Sequence, residues 1–188
     1  MKVGEYLYYA PGLAFADLDF SVTELPIQYK RRIEGYYLNP AEYLINKEHG
    51  FGAGLLILCA IDALWKIDYP NKNVKDRFVA YCCKRLVSFP QNTIAVQLYK
   101  TFRCGIVHEA RAKEGAELTF ESLTTVEYAP GGIRVNPLGL LDEVRSALNA
   151  QMCEITSDQG LMEGFKRYFL RQFSQELKGI NKERQKYS

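Results

Sequence analysis

The sequence predicts a mainly α-helical single domain with one small β-hairpin. Apolar residues recur at helical spacing through most of the chain after residue 22, and this period is lost only between residues 116 and 135. The chain has 188 residues, of which 47% are hydrophobic, so it is long and apolar enough to bury one core. No internal repeat, low-complexity segment or linker divides it, which favours a single domain over residues 1–188.

The N-terminal third predicts an extended arm followed by two short helices. Residues 1–22 are rich in aromatic side chains without helical period, so we expect an arm packed on the body. Thr23 can cap a helix that ends near Gly35. Asn39 followed by Pro40 is a start signal for the next helix, which we expect to stop near His49.

The next segment predicts a central helix. Residues 52–67 are almost uniformly apolar, as in a helix buried within a bundle, and Pro70 and Asn71 should end it. The apolar run over 51–65 is short for crossing a bilayer and contains Asp62, so no membrane association is expected. Asn73 should cap a further helix that ends near Phe89 and Pro90.

The second half of the chain predicts a motif helix, a hairpin and two long helices. An amphipathic stretch over residues 93–102 leads into the segment 102–109, FRCGIVHE, and the helical core should extend over 23–115. Residues 116–135 alternate as a β-hairpin or meander does. Helices should fill residues 136–188, the last one from about 159 to 180. Its aromatic residues recur every four positions, as either a core or a dimer face requires.

Charge and cysteine content restrict the class of protein. The formal net charge is only +2, so affinity for nucleic acid must come from a local cluster of cations. The five cysteines are odd in number and lack C-x-x-C spacing, which favours free thiols in a reducing cytoplasm. We expect no metal site and no cofactor, and the first residues show no signal-peptide pattern.

Arg103 and His108 are the two residues best suited to catalysis. The imidazole of histidine can move a proton near neutral pH, and a guanidinium offers a planar donor fork to phosphate oxygens. Such a pair can cleave a phosphodiester without a metal ion. The alternative is structural: a buried His108 bonded to a carbonyl, with Arg103 paired to Glu109 or Asp62.

The spacing of this pair sets a geometric condition. Five positions turn an α-helix by about 500°, which leaves the two side chains roughly 140° apart. They can converge only if Arg103 lies at or before the start of the helix, or if the opposing group comes from another subunit. Gly105 would permit the first arrangement by relaxing the backbone.

A helical bundle followed by FRCGIVHE resembles the HEPN superfamily (higher eukaryotes and prokaryotes nucleotide-binding domain), whose signature is R-x4-6-H. The resemblance covers residues 40–115 as four helices. Its members are often metal-independent ribonucleases of toxin–antitoxin, abortive-infection and CRISPR systems, or non-catalytic relatives. It therefore implies a HEPN-like bundle over these residues, and the β-hairpin over 116–135 is an insertion after the motif helix that the resemblance does not explain.

The resemblance also implies a site and partners. Arg103 and His108 would be the catalytic pair on RNA, giving a 2′,3′-cyclic phosphate, and two protomers would share a cleft as a homodimer. An antitoxin or another defence-system protein would be a further partner. Many active members carry Asn, Asp or His after the arginine, where this chain has Cys104. That departure favours the alternative function, a non-catalytic dimerisation module that binds RNA, nucleotide or protein.

Other residues have supporting roles in this hypothesis. Asp62, Cys104 and Glu109 are candidates for a shell around the catalytic pair, although for Asp62 an ordinary pair with Lys66, one helical turn on, is the preferred interpretation. Cations beside the motif are candidates for RNA binding, or else belong to a solvated surface; they are Lys100, Arg111 and Lys113.

Overall fold

A computed structural model describes residues 2–3, 6–68, 73–109, 111–129 and 131–179. The described chain divides into two compact units, one formed by the residues up to Tyr36 with those from Asn149 onward, the other by Tyr37–Leu148. The mainly α-helical class is confirmed. The predicted single domain stays a prediction.

The first unit begins with a small antiparallel sheet. Its strands β1 (Lys2–Val3), β2 (Tyr6–Ala10) and β3 (Leu13–Ala14) pair in sequence order, so the predicted arm is folded on itself. Helix α1 (Glu24–Ile33) follows, and its first turn is capped by Ser21, whose Oγ accepts from the Glu24 N–H at 3.2 Å. The expected cap at Thr23 was therefore wrong, because Thr23 has helical backbone angles and makes no capping bond.

The C-terminal aromatic stripe forms the core of the first unit. Helix α8 spans Gln159–Gln172, and residues 174–179 are helical again after a break at Phe173. Phe165, Phe169 and Phe173 are buried; the last two contact the ring of Tyr9 at 5.4 and 5.3 Å between centroids. The stripe was predicted to form either a core or a dimer face, and it forms part of the core. The predicted helix end at Ile180 lies outside the described residues.

The helix over 24–45 does not stop at Gly35. A π-helical turn, Glu34–Leu38, joins α1 to α2 (Asn39–Ile45), so the predicted stop and the predicted Asn39 cap were wrong. The wider hydrogen-bonding pattern of a π turn explains how the chain tolerates Pro40, which lacks an N–H to donate to the preceding turn.

Helix α3 (Gly50–Asp68) is the centre of the second unit, as predicted. By length and composition it could span a membrane, yet half of its apolar window is buried inside the protein, which is typical of the core helix of a soluble protein. The predicted break at Pro70 and Asn71 lies outside the described residues.

Helix α4 (Val74–Arg85) is capped by Asn73, as predicted, through a 2.9 Å bond from the Asp76 N–H to the Asn73 side chain. It ends at Arg85, four residues before the predicted stop, because Leu86 adopts extended backbone angles. Helix α5 (Asn92–Gln97) passes through a second π-helical turn, Leu98–Arg103, into α6 (Cys104–Glu109).

The predicted hairpin is present with one addition. Strands β5 (Val126–Ala129) and β6 (Gly132–Val135) pair antiparallel, and β4 (Glu117–Leu118) adds to β6 in parallel. Helix α7 (Pro137–Ser157) follows, within the region over 136–188 that was predicted to be helical.

Candidate active site

The backbone changes its helical form just before the motif. The π-helical turn ends at Arg103, and the Cys104 N–H donates to the carbonyl of Tyr99, five residues back. The π turn continues without a break into α6, so Arg103 lies inside one helical stretch. The expectation that the pair could converge only with Arg103 at or before a helix start, or across subunits, was wrong. Single π turns within helices are rare and are frequent at functional sites.

Arg103 and His108 meet within one chain. Nη1 of Arg103 lies 3.0 Å from Nε2 of His108, whose side chain is exposed. A guanidinium has donors only, so Nε2 is the acceptor in this contact. The pair therefore combines a fixed cation with an imidazole open to solvent. Convergence of the two groups does not require a second subunit.

Asp62 holds the guanidinium in place. Nε and Nη2 of Arg103 donate to Oδ2 of Asp62 at 3.1 and 2.9 Å. The other carboxylate oxygen, Oδ1, accepts from Nε1 of Trp65 at 3.0 Å. The Arg103 and Asp62 side chains are only 16% and 21% exposed, so water screens this ion pair weakly. Three of the five guanidinium N–H groups are engaged, and two are left to meet a ligand.

The contacts of Asp62 favour its predicted role beside Arg103 over the predicted pair with Lys66. Lys66 places its ammonium over the ring of Trp65, 5.6 Å from the centroid, and no ion pair between Lys66 and Asp62 occurs in the described part of the chain. Asp62 and Trp65 lie three residues apart and so share one face of α3.

The electrostatic environment stabilises the charge on Arg103. Burial by itself lowers the pKa of the guanidinium, but the hydrogen bonds and charge of Asp62 raise it above its ordinary value. The guanidinium carbon lies 5.6 Å from the ring centroid of Tyr99, which packs on Phe78 at 5.4 Å. Burial raises the pKa of the Cys59 thiol, and the Asp62 charge raises it further. Arg103 is thus a permanent cation with a fixed position.

Cys104 interacts with Tyr99, whose ring lies next to the Arg103 guanidinium. Its half-buried side chain interacts with the hydroxyl of Tyr99; the pKa of Tyr99 is raised, first by burial and then by Cys104. The structure places the thiol beside the ring on which Arg103 stacks. Cys104 therefore belongs to the surroundings of Arg103 through Tyr99.

Gly105 has a different role from the expected one. A Cβ atom at this position would overlap the carbonyl oxygen of Arg111, because the chain after α6 folds back against it. The returning segment is held by bonds from the Arg111 N–H to the Gly105 carbonyl at 3.3 Å and from the Lys113 N–H to the Thr101 carbonyl at 3.1 Å. Gly105 thus permits close packing of two backbone segments, and backbone relaxation is not its contribution.

Glu109 points to the flanking cations. Its carboxylate pairs with Lys113 and, at 3.3 Å, with Nη2 of Arg111, and the hydrogen bond from Lys113 is the main cause of its lowered pKa. Of the structural alternative, the Arg103–Asp62 pair is present, whereas His108 is exposed rather than buried and no Arg103–Glu109 pair is formed among the described residues. Of the three predicted RNA-binding cations, Lys113 and Arg111 share this carboxylate, and Lys100 is exposed on the π turn.

Sequence reasoning missed Trp65 and Tyr99. Trp65 is the single tryptophan of the chain and stands three residues after Asp62; Tyr99 stands four before Arg103. Helical spacing therefore carried a signal for both contacts. Within the described residues, no three His, Cys, Asp or Glu side chains are grouped so that they could hold a metal ion.

No protein-family model, curated protein or solved structure matches this chain. The resemblance to the HEPN superfamily accordingly rests on the R-x4-H motif and the helical order of the sequence.

Proposed function

We propose that this protein is a metal-independent endoribonuclease of HEPN type, with Arg103 and His108 as its catalytic pair. The observation that carries the proposal is the 3.0 Å contact between Arg103 Nη1 and His108 Nε2, with the guanidinium held by Asp62. A neutral imidazole beside a fixed cation is the combination that phosphodiester cleavage through the 2′-OH needs.

In the proposed reaction, the bound phosphate takes over the Arg103 Nη1 donor and so frees the Nε2 lone pair of His108. His108 then takes the proton of the ribose 2′-OH as the 2′ oxygen attacks phosphorus. The bond between phosphorus and the 5′ oxygen breaks, and that oxygen leaves with a proton from water or from an imidazolium. The products are a 2′,3′-cyclic phosphate and a 5′-OH. The free N–H groups of Arg103 stabilise the charge that builds on the phosphoryl oxygens. A second copy of the chain in a homodimer would supply another His108 for the leaving group.

A cytoplasmic setting in defence or a toxin–antitoxin pair, with an antitoxin or defence-system protein as partner, belongs to this proposal. It accords with the free thiols of the described cysteines. The flanking cations Lys100, Arg111 and Lys113 would contact the RNA backbone, with Lys113 and Arg111 weakened by their shared carboxylate.

Cleavage of single-stranded RNA in EDTA tests the proposal. Arg103→Ala and His108→Ala should each lower the rate by about a hundredfold or more, because acid–base and guanidinium contributions reach that size. His49→Ala is the matched control, since His49 is the other histidine, is exposed and lies away from the motif in sequence. It should cleave as the wild type does, and product analysis should find the cyclic phosphate.

Two results would reject the assignment: cleavage that requires magnesium, or cleavage that persists in both motif variants. Circular dichroism must show that each variant is folded.

The second candidate function is a non-catalytic module that binds RNA, nucleotide or protein. Cys104 favours it, because its thiol occupies the position of the polar residue of active relatives and interacts with Tyr99. Binding of RNA by wild-type protein without any cleavage would select this function.

A further inference from the structure

A second group of cations lies beside the Arg103–His108 pair. The guanidinium carbon of Arg77, on α4, lies 5.1 Å from the centroid of the Trp65 ring, and the Lys66 ammonium lies 5.6 Å from it. Trp65 donates to the same carboxylate that holds Arg103. Trp65 and Asp62 are hydrogen-bonded to each other, with Arg77 next to Trp65 and Arg103 next to Asp62.

Among the described residues, Arg77 and Lys66 lack acidic partners. In the part of the chain that the structure describes, no carboxylate lies within ion-pair distance of Arg77 or Lys66, whereas Lys84 and Arg85 of α4 both pair with Asp68. The Nε atom of Arg77 is enclosed and, among the described residues, has no hydrogen-bond partner. Contact with an aromatic face attracts a cation but leaves its N–H groups unsatisfied.

The local charge is large for this protein. Arg77 and Lys66 add two positive charges beside Trp65, in a chain whose formal net charge is only +2. Affinity for a polyanion must come from such a cluster, because the whole-molecule field is weak.

We propose that Arg77 and Lys66 form a phosphate-binding subsite for the RNA backbone next to the phosphate that Arg103 and His108 cleave. The inference rests on the proposed function and specifies how the substrate is held. Arg77 would donate to phosphate oxygens through its planar fork, and Lys66 would act as a point charge. Trp65 fixes both cations relative to Asp62, so the spacing of the subsite from Arg103 is set by α3.

The test is the affinity for a short single-stranded 2′-O-methyl oligoribonucleotide, which cannot be cleaved, measured by fluorescence anisotropy over a salt series. Arg77→Gln should weaken Kd about tenfold, the size of one charge-assisted hydrogen bond, and should reduce the salt slope by about 0.7. Lys66→Gln should act in the same direction, and Arg77→Lys should keep most of the slope because it keeps the charge.

Lys75→Gln is the matched control. Lys75 is exposed, lies on α4 two residues before Arg77 and so points to another side of the helix. It carries the same charge change and should leave Kd and slope unchanged. Thermal melts establish that each variant is folded; an unfolded Arg77→Gln leaves Lys66→Gln and Arg77→Lys to decide.

The outcomes separate this inference from the proposed function. Weaker binding by Arg77→Gln with no cleavage of natural RNA by the wild type would support the subsite and reject the ribonuclease. Cleavage by the wild type together with unchanged binding by Arg77→Gln and Lys66→Gln would reject the subsite alone. An effect of Lys75→Gln equal to that of Arg77→Gln, or no binding at low salt, would also reject it.

Discussion

Replacing Asp62 by Asn should destabilise the protein and loosen Arg103. Both oxygens of Asp62 accept from donors, Oδ2 from Arg103 and Oδ1 from Trp65. An asparagine amide has one acceptor oxygen and one NH2 group, so one of the two partners must face a donor. The substitution keeps the shape of the side chain and removes only its charge and one acceptor.

The expected loss follows from the geometry. Hydrogen bonds to charged groups contribute about 1.5–3 kcal/mol, and the partial exposure of this pair favours the lower half of that range, or about 2 kcal/mol. For a chain of this length, that corresponds to a decrease in Tm of roughly 4–8 °C. Urea unfolding measures the free energy directly, without reference to any activity.

A double-mutant cycle with Arg103→Met isolates the interaction between the two side chains. The coupling energy should be at least about 1 kcal/mol, whereas independent sites add within about 0.5 kcal/mol. Asp142→Asn is the control, because Asp142 is exposed on α7 and carries the same change of charge. The reasoning would be refuted if the effects of Asp62→Asn and Arg103→Met were additive. It would also be refuted if Asp62→Asn had the same free energy of unfolding as the wild type. If the proposed function holds, Asp62→Asn should also reduce RNA cleavage about tenfold or more.

Three further predictions concern other parts of the molecule. Gly105→Ala should lower the free energy of unfolding in urea by about 1–3 kcal/mol, because the new methyl group overlaps a backbone carbonyl. Gly164→Ala on α8, where a Cβ would meet only the end of the Arg167 side chain at 4.0 Å, should be neutral or stabilising, and equal effects would contradict this account. Burial raises the pKa of Tyr9 and Tyr29, so their contribution to stability is complete below the unfolded pKa near 10 and is lost as pH rises above it, by about 1.4 kcal/mol per pH unit for each group. Melts from pH 9 to 11 should therefore show a falling Tm, and a constant Tm would contradict the burial of these hydroxyls. Cys104→Asn should raise RNA cleavage if the thiol marks a degenerate position, and a decrease in cleavage would show that the site depends on the thiol.

Several elements could be predicted from the sequence because their causes are local. The apolar run that forms α3, the Asn73 cap of α4 and the β5–β6 hairpin depend on residues within a few positions of one another. The condition on Arg103 was wrong, because its side chain meets that of His108 although both residues lie in one continuous helical stretch.

The tertiary structure decided what depends on distant contacts. Asp62 lies 41 positions before Arg103, and nothing in either local sequence distinguishes this ion pair from one with Lys66. The π turns likewise escape periodicity, because one wider turn shifts the helical phase without changing which residues are apolar. The sequence therefore identified the Arg103–His108 motif, whereas the packing of α3 against the motif segment decided which groups fix the guanidinium.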